Sequence, residues 1–62
     1  MYQEAVIFFK QAIRIKPDCA GAHYMLGATQ LILNEKDAAS EEYRILKDIN
    51  TQLANKLLEK IN

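Results

Sequence analysis

The chain has 62 residues, half of them hydrophobic, and its eight basic and eight acidic side chains give a formal net charge of zero. This length allows one small domain, in which a lone hydrophobic core is marginal. The neutral balance leaves no basic surface for nucleic acid or an anionic membrane. A single cysteine makes no internal disulfide and fits a reducing compartment, so we expect a soluble, cytoplasmic protein.

A first helix is predicted from Tyr2 to Lys16, where apolar residues recur with a helical period and form a wide apolar arc. Pro17 closes this helix, because proline lacks the amide hydrogen and disfavours helical geometry in the residue before it. Asp18 follows, and we expect its side chain to accept from the free amides of the next first turn.

The second predicted helix, from Ala20 to about Leu33, is apolar nearly all round and carries no lysine or arginine. We therefore expect it to be the central helix. Inside it, Leu26-Gly27 sets a large side chain beside a residue with none, which lets a neighbouring backbone approach closely. Asn34 tolerates the left-handed conformation that often ends a helix.

Two further helices complete the chain. The segment from Asp37 to Ile49 has one apolar face, and Ile45 is placed on it. Asn50 and Thr51 supply capping side chains for a fourth helix that runs to the C-terminus. Because the turns between these segments are only two to four residues long, the pattern predicts an all-α fold of about four helices.

An internal repeat is also present. The spacing Ala5-x3-Phe9 recurs as Ala39-x3-Tyr43, a shift of 34 residues, and Pro17 follows the first copy where Thr51 follows the second. Between them lies His23-x2-Leu26-Gly27-x2-Gln30. The tetratricopeptide-repeat family has the same spacing of Ala-x3-aromatic steps, and it has Trp-x2-Leu-Gly-x2-Tyr at the intervening position.

The chain therefore resembles a tetratricopeptide-repeat protein, with His23 and Gln30 as departures from aromatic positions. The resemblance implies antiparallel helix hairpins of an α-solenoid fragment. It assigns residues 1–17 to the second helix of a partial repeat, residues 18–50 to one full repeat and residues 51–62 to a C-terminal capping helix. A generic four-helix bundle is the alternative fold.

No catalytic, metal or cofactor site is predicted. Cys19 and His23 are four residues apart and share a helix face, but a metal or a catalytic thiolate needs further converging groups, and none is evident nearby. We interpret Cys19 as a small apolar residue at a helix start, and His23 as a packed or capping imidazole.

The resemblance implies a non-enzymatic scaffold that binds a protein or peptide in a groove lined by the first helix of each repeat. No cation stands on the second helix, so we expect an apolar or helical ligand rather than a C-terminal carboxylate, with Tyr24 and Leu31 as anchors. Simple core packing of these residues is the alternative. The predicted groove residues are Gly21, Tyr24, Ala28, Leu31 and Ile32.

Self-assembly is the second function that stays open, with a dimer favoured over head-to-tail stacking. The first helix lacks its family partner, and we expect no later helix to cover Tyr24, Leu31 and Ile32. The predicted self-association residues are Tyr2, Val6, Phe9 and Ile13, and the predicted packing residues are Ala5, Leu26, Gly27, Ala39 and Tyr43.

Overall fold

The computed structural model describes all 62 residues and contains four α-helices. They are α1 (Tyr2–Ile15), α2 (Ala20–Ile32), α3 (Lys36–Ile49) and α4 (Thr51–Ile61). Helices that follow one another in the chain pack together, and α4 also packs against α2. The predicted all-α class is confirmed. None of the four helices has the length and apolar character that a membrane span requires.

The second helix is the centre of the fold, as predicted, because it packs against all three other helices. It supplies six of the ten buried residues, whereas α1 supplies none. The fully buried core cluster lies beside it and consists of Leu46 from α3 with Ala54 and Leu57 from α4.

The turn between α1 and α2 holds one departure from the sequence-based expectation. The amide of Cys19 donates to the carbonyl of Lys16 at 3.0 Å, which closes a four-residue turn with Pro17 and Asp18 in its middle. The N-cap of α2 is therefore Cys19, and no side chain caps the helix. The predicted cap by Asp18 is wrong because the turn places that residue one position too early.

The end of α2 is closed by its own backbone. Asn34 has a φ of 64°, the predicted left-handed conformation. The amide of Glu35 donates to the carbonyl of Gln30 at 2.7 Å, and the amide of Asn34 donates to the carbonyl of Leu31 at 3.0 Å. This pair of hydrogen bonds is a Schellman motif, which satisfies the last carbonyls of the helix and turns the chain sharply into α3.

Asn50 separates α3 from α4 and caps the latter, as predicted, because its Oδ1 accepts from the amide of Leu53 at 3.0 Å. The predicted apolar face of α3 is too wide, however. Leu46 is fully buried, but Ile45, which was placed on the same face, is exposed. Each residue rotates a helix by about 100°, so residues beside Leu46 in the chain turn away from the centre of the packed face.

Gly27 occupies the tightest point of the fold. A Cβ atom built on it would lie 2.6 and 3.1 Å from the two methyl groups of Leu57 and 3.3 Å from the Cβ of Glu42. Close packing at this position was expected against a neighbouring backbone. The neighbours are instead side chains of α4 and α3, and Leu57 has no exposed surface into which it can retreat.

The two glycines of α2 provide a matched test of this contact. We expect Gly27→Leu to lower the free energy of unfolding by about 1–3 kcal/mol through overpacking. Gly21→Leu is the control, because Gly21 is exposed and a Cβ atom added there would meet nothing within 4 Å. It should gain up to about 1 kcal/mol from helix propensity. Urea denaturation followed by circular dichroism measures both, and a stabilised Gly27→Leu variant would contradict the close contact.

Candidate partner-binding site

One side of α2 remains open between the helices that pack around it. Gly21, Met25, Ala28 and Ile32 lie on this side at spacings of four, three and four residues, which place them in one row along a helix. Gly21, Met25 and Ile32 are exposed, and Ala28 is half-buried. We call this row the α2 stripe.

The predicted groove residues divide into two groups. Gly21, Ala28 and Ile32 lie in the α2 stripe. Tyr24 and Leu31 are half-buried and pack against the core cluster of α3 and α4. The expectation that no later helix covers these two residues is therefore wrong, because α4 folds back far enough to pack against α2.

Met25 was missed as a member of the open face, although its side chain is 46% exposed. It lies four residues after Gly21 and three before Ala28, so it joins their row once the structure shows that this side of α2 is open. The error arose because a helix that is apolar all round gives no sign of which side faces solvent. Only the packing of distant residues decides that.

The α2 stripe is electrically neutral along its whole length. No aspartate, glutamate, lysine or arginine occurs from Cys19 to Asn34, and the nearest charged residues, Asp18 and Glu35, lie beyond the two ends of the helix. A surface of this kind offers apolar contact area but no charged side chain that could form an ion pair with a ligand.

His23 lies on the buried side of α2 and is held by two hydrogen bonds. Its Nε2–H donates to the carbonyl of Pro17 at 2.7 Å, and its Nδ1 lies 2.8 Å from Oε1 of Glu42. A carbonyl only accepts, so Nε2 carries the hydrogen of that bond, and the contact at Nδ1 joins the ring to the carboxyl group of Glu42. The ring therefore ties α2 both to the turn before it and to α3.

The same two contacts bear on whether His23 acts together with Cys19 or binds a metal ion. Both ring nitrogens are engaged, and neither is paired with the half-buried thiol of Cys19. No group of three or more His, Cys, Asp or Glu side chains is arranged to hold a metal ion. One surface depression is present, on the outer side of α1, and its lining is mostly polar: Ile7, Lys10, Gln11 and Arg14.

Gln30 is the other departure from an aromatic position, and it is poorly satisfied. Its side chain lies in the core with only 4% of the residue exposed, and its Oε1 is buried without a hydrogen-bond partner. A buried acceptor in this state costs about 1–3 kcal/mol.

The predicted self-association residues also divide. Val6, Phe9 and Ile13 are half-buried, and α2 is the one helix that packs against α1. Tyr2 is exposed. The most exposed apolar side chains within α1 are instead Ile7, Phe8 and Ile15.

The residues predicted to serve packing have the following positions. Leu26, Gly27 and Ala39 are buried, whereas Ala5 and Tyr43 are half-buried. Tyr43 packs against the core cluster.

Comparison with known proteins agrees with the repeat pattern. A family model described as Tetratricopeptide repeat matches residues 1–19, which comprise α1 and the turn after it. The Leu26-Gly27 step and the second Ala-x3-aromatic step lie outside this match. The family model and these two motifs therefore support the same family from different parts of the chain.

A curated relative extends the similarity along most of the chain. Protein O-mannosyl-transferase TMTC3 of Homo sapiens is 35% identical over 52 residues, which make up 84% of this chain. The chain spans only 6% of the length of that relative. No solved structure matches.

The His23 contact predicts different outcomes for two substitutions of its partner. Glu42→Ala leaves Nδ1 buried without a partner and should lower the free energy of unfolding by about 1–3 kcal/mol. Glu42→Gln keeps a hydrogen-bonding group there, so we expect it to retain most of the stability. The control is Glu41→Ala, which removes an exposed pair with Arg44 and should change stability by less than about 1 kcal/mol. Equal effects of Glu42→Ala and Glu41→Ala in urea denaturation would argue against the role of the buried contact.

Because Oε1 of Gln30 is buried without a hydrogen-bond partner, replacing this residue with an apolar one of similar shape should stabilise the fold. Gln30→Met keeps nearly the same shape and removes the unpaired oxygen, so we expect the free energy of unfolding to rise by roughly 1 kcal/mol. Gln52→Met on the exposed side of α4 is the control, and its effect should stay within about 0.5 kcal/mol. A shift of the thermal unfolding midpoint measures the difference. Loss of stability in Gln30→Met would show that the amide is satisfied in solution.

Proposed function

We propose that this chain, which belongs to the tetratricopeptide-repeat family, is a protein-interaction module that holds an apolar helical segment on the α2 stripe. Repeats of this family generally mediate protein–protein interaction. In this module residues 18–50 form one complete repeat, which follows the second helix of another repeat and precedes a closing helix. The observation that carries it is the open row of apolar and small residues on the central helix.

The form of the α2 stripe favours a helix as the ligand. Small residues, Gly21 and Ala28, alternate with the large side chains of Met25 and Ile32. Helices pack by fitting the side-chain ridges of one into the grooves of the other, and the small residues leave hollows for incoming side chains. Met25 suits such a surface because its flexible thioether adapts to differently shaped partners.

The charge pattern favours an apolar ligand. Recognition of a peptide carboxylate uses lysine or arginine, and the α2 stripe has neither. Binding instead rests on burying the exposed surfaces of Met25 and Ile32 against the apolar face of a partner helix.

Binding without catalysis is part of the proposal. The transferase named among the relatives shares only a small part of its length with this chain, so its activity is not carried over. We place the module in the cytoplasm, because its one cysteine is a free thiol.

The test uses a fluorescently labelled amphipathic helical peptide of about five turns, with leucines at i, i+3, i+4 and i+7. We expect Met25→Lys to weaken its binding roughly tenfold or more in an anisotropy titration. Ile45→Lys is the matched control, because Ile45 on α3 is 40% exposed against 46% for Met25. It should leave the affinity within about twofold.

Two outcomes would contradict the proposal. One is equal weakening by Met25→Lys and Ile45→Lys, which would indicate non-specific adhesion. The other is tighter binding of a short acidic C-terminal peptide that Met25→Lys does not affect.

Self-assembly is a second candidate function. The observation that favours it is separate from the α2 stripe: α1 has no buried residue and exposes several large apolar side chains. Burying apolar surface contributes about 25 cal/mol per Å², which is a substantial gain for a domain of this size.

A further inference from the structure

The surface depression on α1 combines two cations with an apolar side chain, and we call it the α1 depression. It is lined by Ile7, Lys10, Gln11 and Arg14, all of them exposed. Lys10 and Gln11 each lie three or four residues from both Ile7 and Arg14, which sets the four side chains on one face of the helix. The depression has a volume of about 230 Å³, several times the roughly 30 Å³ that a water molecule occupies. It is therefore large enough to receive a side chain of another molecule.

Neither cation of the α1 depression has an ion-pair partner within the chain. Lys10 and Arg14 take no part in the ion pairs of the structure, which lie elsewhere. From Ala5 to Pro17 the sequence has three cations and no aspartate or glutamate. Side chains four residues apart on a helix have Cβ atoms about 6 Å from each other, so both cations reach the same carboxylate or two neighbouring ones. Two positive charges thus meet at this depression without a counter-charge.

A second cation pair in the chain has the same spacing but a different setting. Lys56 and Lys60 on α4 are also exposed and four residues apart. Glu59 lies three residues after Lys56 and next to Lys60, so the chain itself supplies a carboxylate within reach of Lys56. The surface has no depression there, since the one that it contains lies on α1. The α1 depression therefore differs from an ordinary charged helix face in its shape and in its lack of an acidic neighbour.

We propose that the α1 depression binds glutamate side chains from an acidic segment of a protein partner. The carboxylate lies at Lys10 and Arg14, and the planar guanidinium group of Arg14 pairs with both of its oxygens. The amide group of Gln11 offers a further hydrogen to the carboxylate. The methylene stem of the glutamate covers Ile7, which is 57% exposed.

The small number of cations and the apolar floor favour this ligand over more highly charged ones. Recognition of an anionic lipid surface uses clusters of about four to eight cations, and the α1 depression has two. A nucleic acid is attracted by an extended basic surface, which a chain of zero net charge does not offer. A glutamate side chain, in contrast, brings one negative charge together with apolar methylene groups that cover Ile7.

The α1 depression is independent of the α2 stripe, so this proposal goes beyond the proposed function. Phe9 is half-buried on the side of α1 that faces α2, the one helix in contact with α1. Two residues rotate a helix by about 200°, so Ile7 lies on nearly the opposite side from Phe9. A ligand in the depression therefore touches neither α2 nor a ligand held on the stripe.

The affinity is expected to be low. Ion pairs between exposed side chains contribute little, because water and salt screen them. Two such pairs and a small apolar contact correspond to a dissociation constant of roughly millimolar order. Binding of this strength is measured by nuclear magnetic resonance, which also locates the ligand on the chain.

The test titrates the full chain with a short peptide that carries a glutamate on each side of a leucine. Both ends of the peptide are blocked, so the probe has no C-terminal carboxylate. We expect saturable shifts of the backbone amides of residues 7–14. Replacement of both glutamates of the probe by glutamine should weaken binding roughly tenfold, and this comparison leaves the protein itself unchanged.

Two double variants test the cations. Lys10→Gln combined with Arg14→Gln should weaken binding of the glutamate peptide roughly tenfold. Lys56→Gln combined with Lys60→Gln is the matched control, because it removes the same charge at the same spacing from α4. It should leave the affinity within about twofold.

Two single variants test the apolar floor. Ile7→Ser should weaken binding roughly threefold, because the contact with the glutamate stem is lost. Phe8→Ser is the control: Phe8 is 68% exposed on the same helix but does not line the depression, and its replacement should leave the affinity within about twofold.

Four outcomes would overturn the proposal. One is the absence of saturable shifts at residues 7–14, and another is equal binding of the glutamate and glutamine peptides. The third is equal weakening by the two double variants, which would indicate general charge attraction. The last is equal weakening by Ile7→Ser and Phe8→Ser, which would place the ligand outside the depression. Binding by the α2 stripe is scored separately with the leucine peptide and Met25→Lys, so failure of one proposal does not decide the other.

Discussion

The contact between Gly27 and Leu57 is the constraint on which the rest of the fold depends. Because Gly27 has no side chain, the methyl groups of Leu57 occupy the space where a Cβ atom would stand, and Glu42 closes the same position from α3. Two helices thereby pack tightly against one point of α2. This arrangement seals Leu46, Ala54 and Leu57 completely and leaves α2 open on a single side. The candidate site, the α2 stripe, is thus the one side of α2 that no other helix covers.

His23 and Gln30 stand at aromatic positions of the repeat, and they differ in whether their buried polar atoms find hydrogen-bond partners. His23 exchanges apolar packing for two short hydrogen bonds that link three parts of the chain. Gln30 enters the same core and leaves its carbonyl oxygen without a partner. A polar substitution in a core is tolerated when every hydrogen-bonding group finds a partner, and it costs stability when one does not. The pair shows both cases on one helix, separated by two turns.

The sequence predicts the positions of the helices well because their signals are local. Periodic apolar residues, the left-handed Asn34 and the cap at Asn50 each act within a few residues, and the helix bounds agree to within about one residue. Which helix faces are buried and which are exposed is harder to predict, because it depends on contacts between segments that are distant in the sequence. Nothing near Tyr24 or Leu31 indicates that α4 returns to pack beside them, and nothing near Asp18 shows that the turn ends one residue later. The exposure of Met25 was not predicted either, because α2 is apolar on every side and its sequence does not show which side the other helices leave open.

The peripheral position of α1 has a consequence for how the chain moves. With no buried residue and a single neighbouring helix, α1 contributes less to the core than any other element. Regions with few buried contacts open locally at a lower free energy than the core does. The other three helices share a closed set of contacts, since α2, α3 and α4 all pack against one another. Helices α2, α3 and α4 therefore form a three-helix unit, and α1 is the helix that we expect to open first. A partner that covers α1 would raise the free energy of that opening.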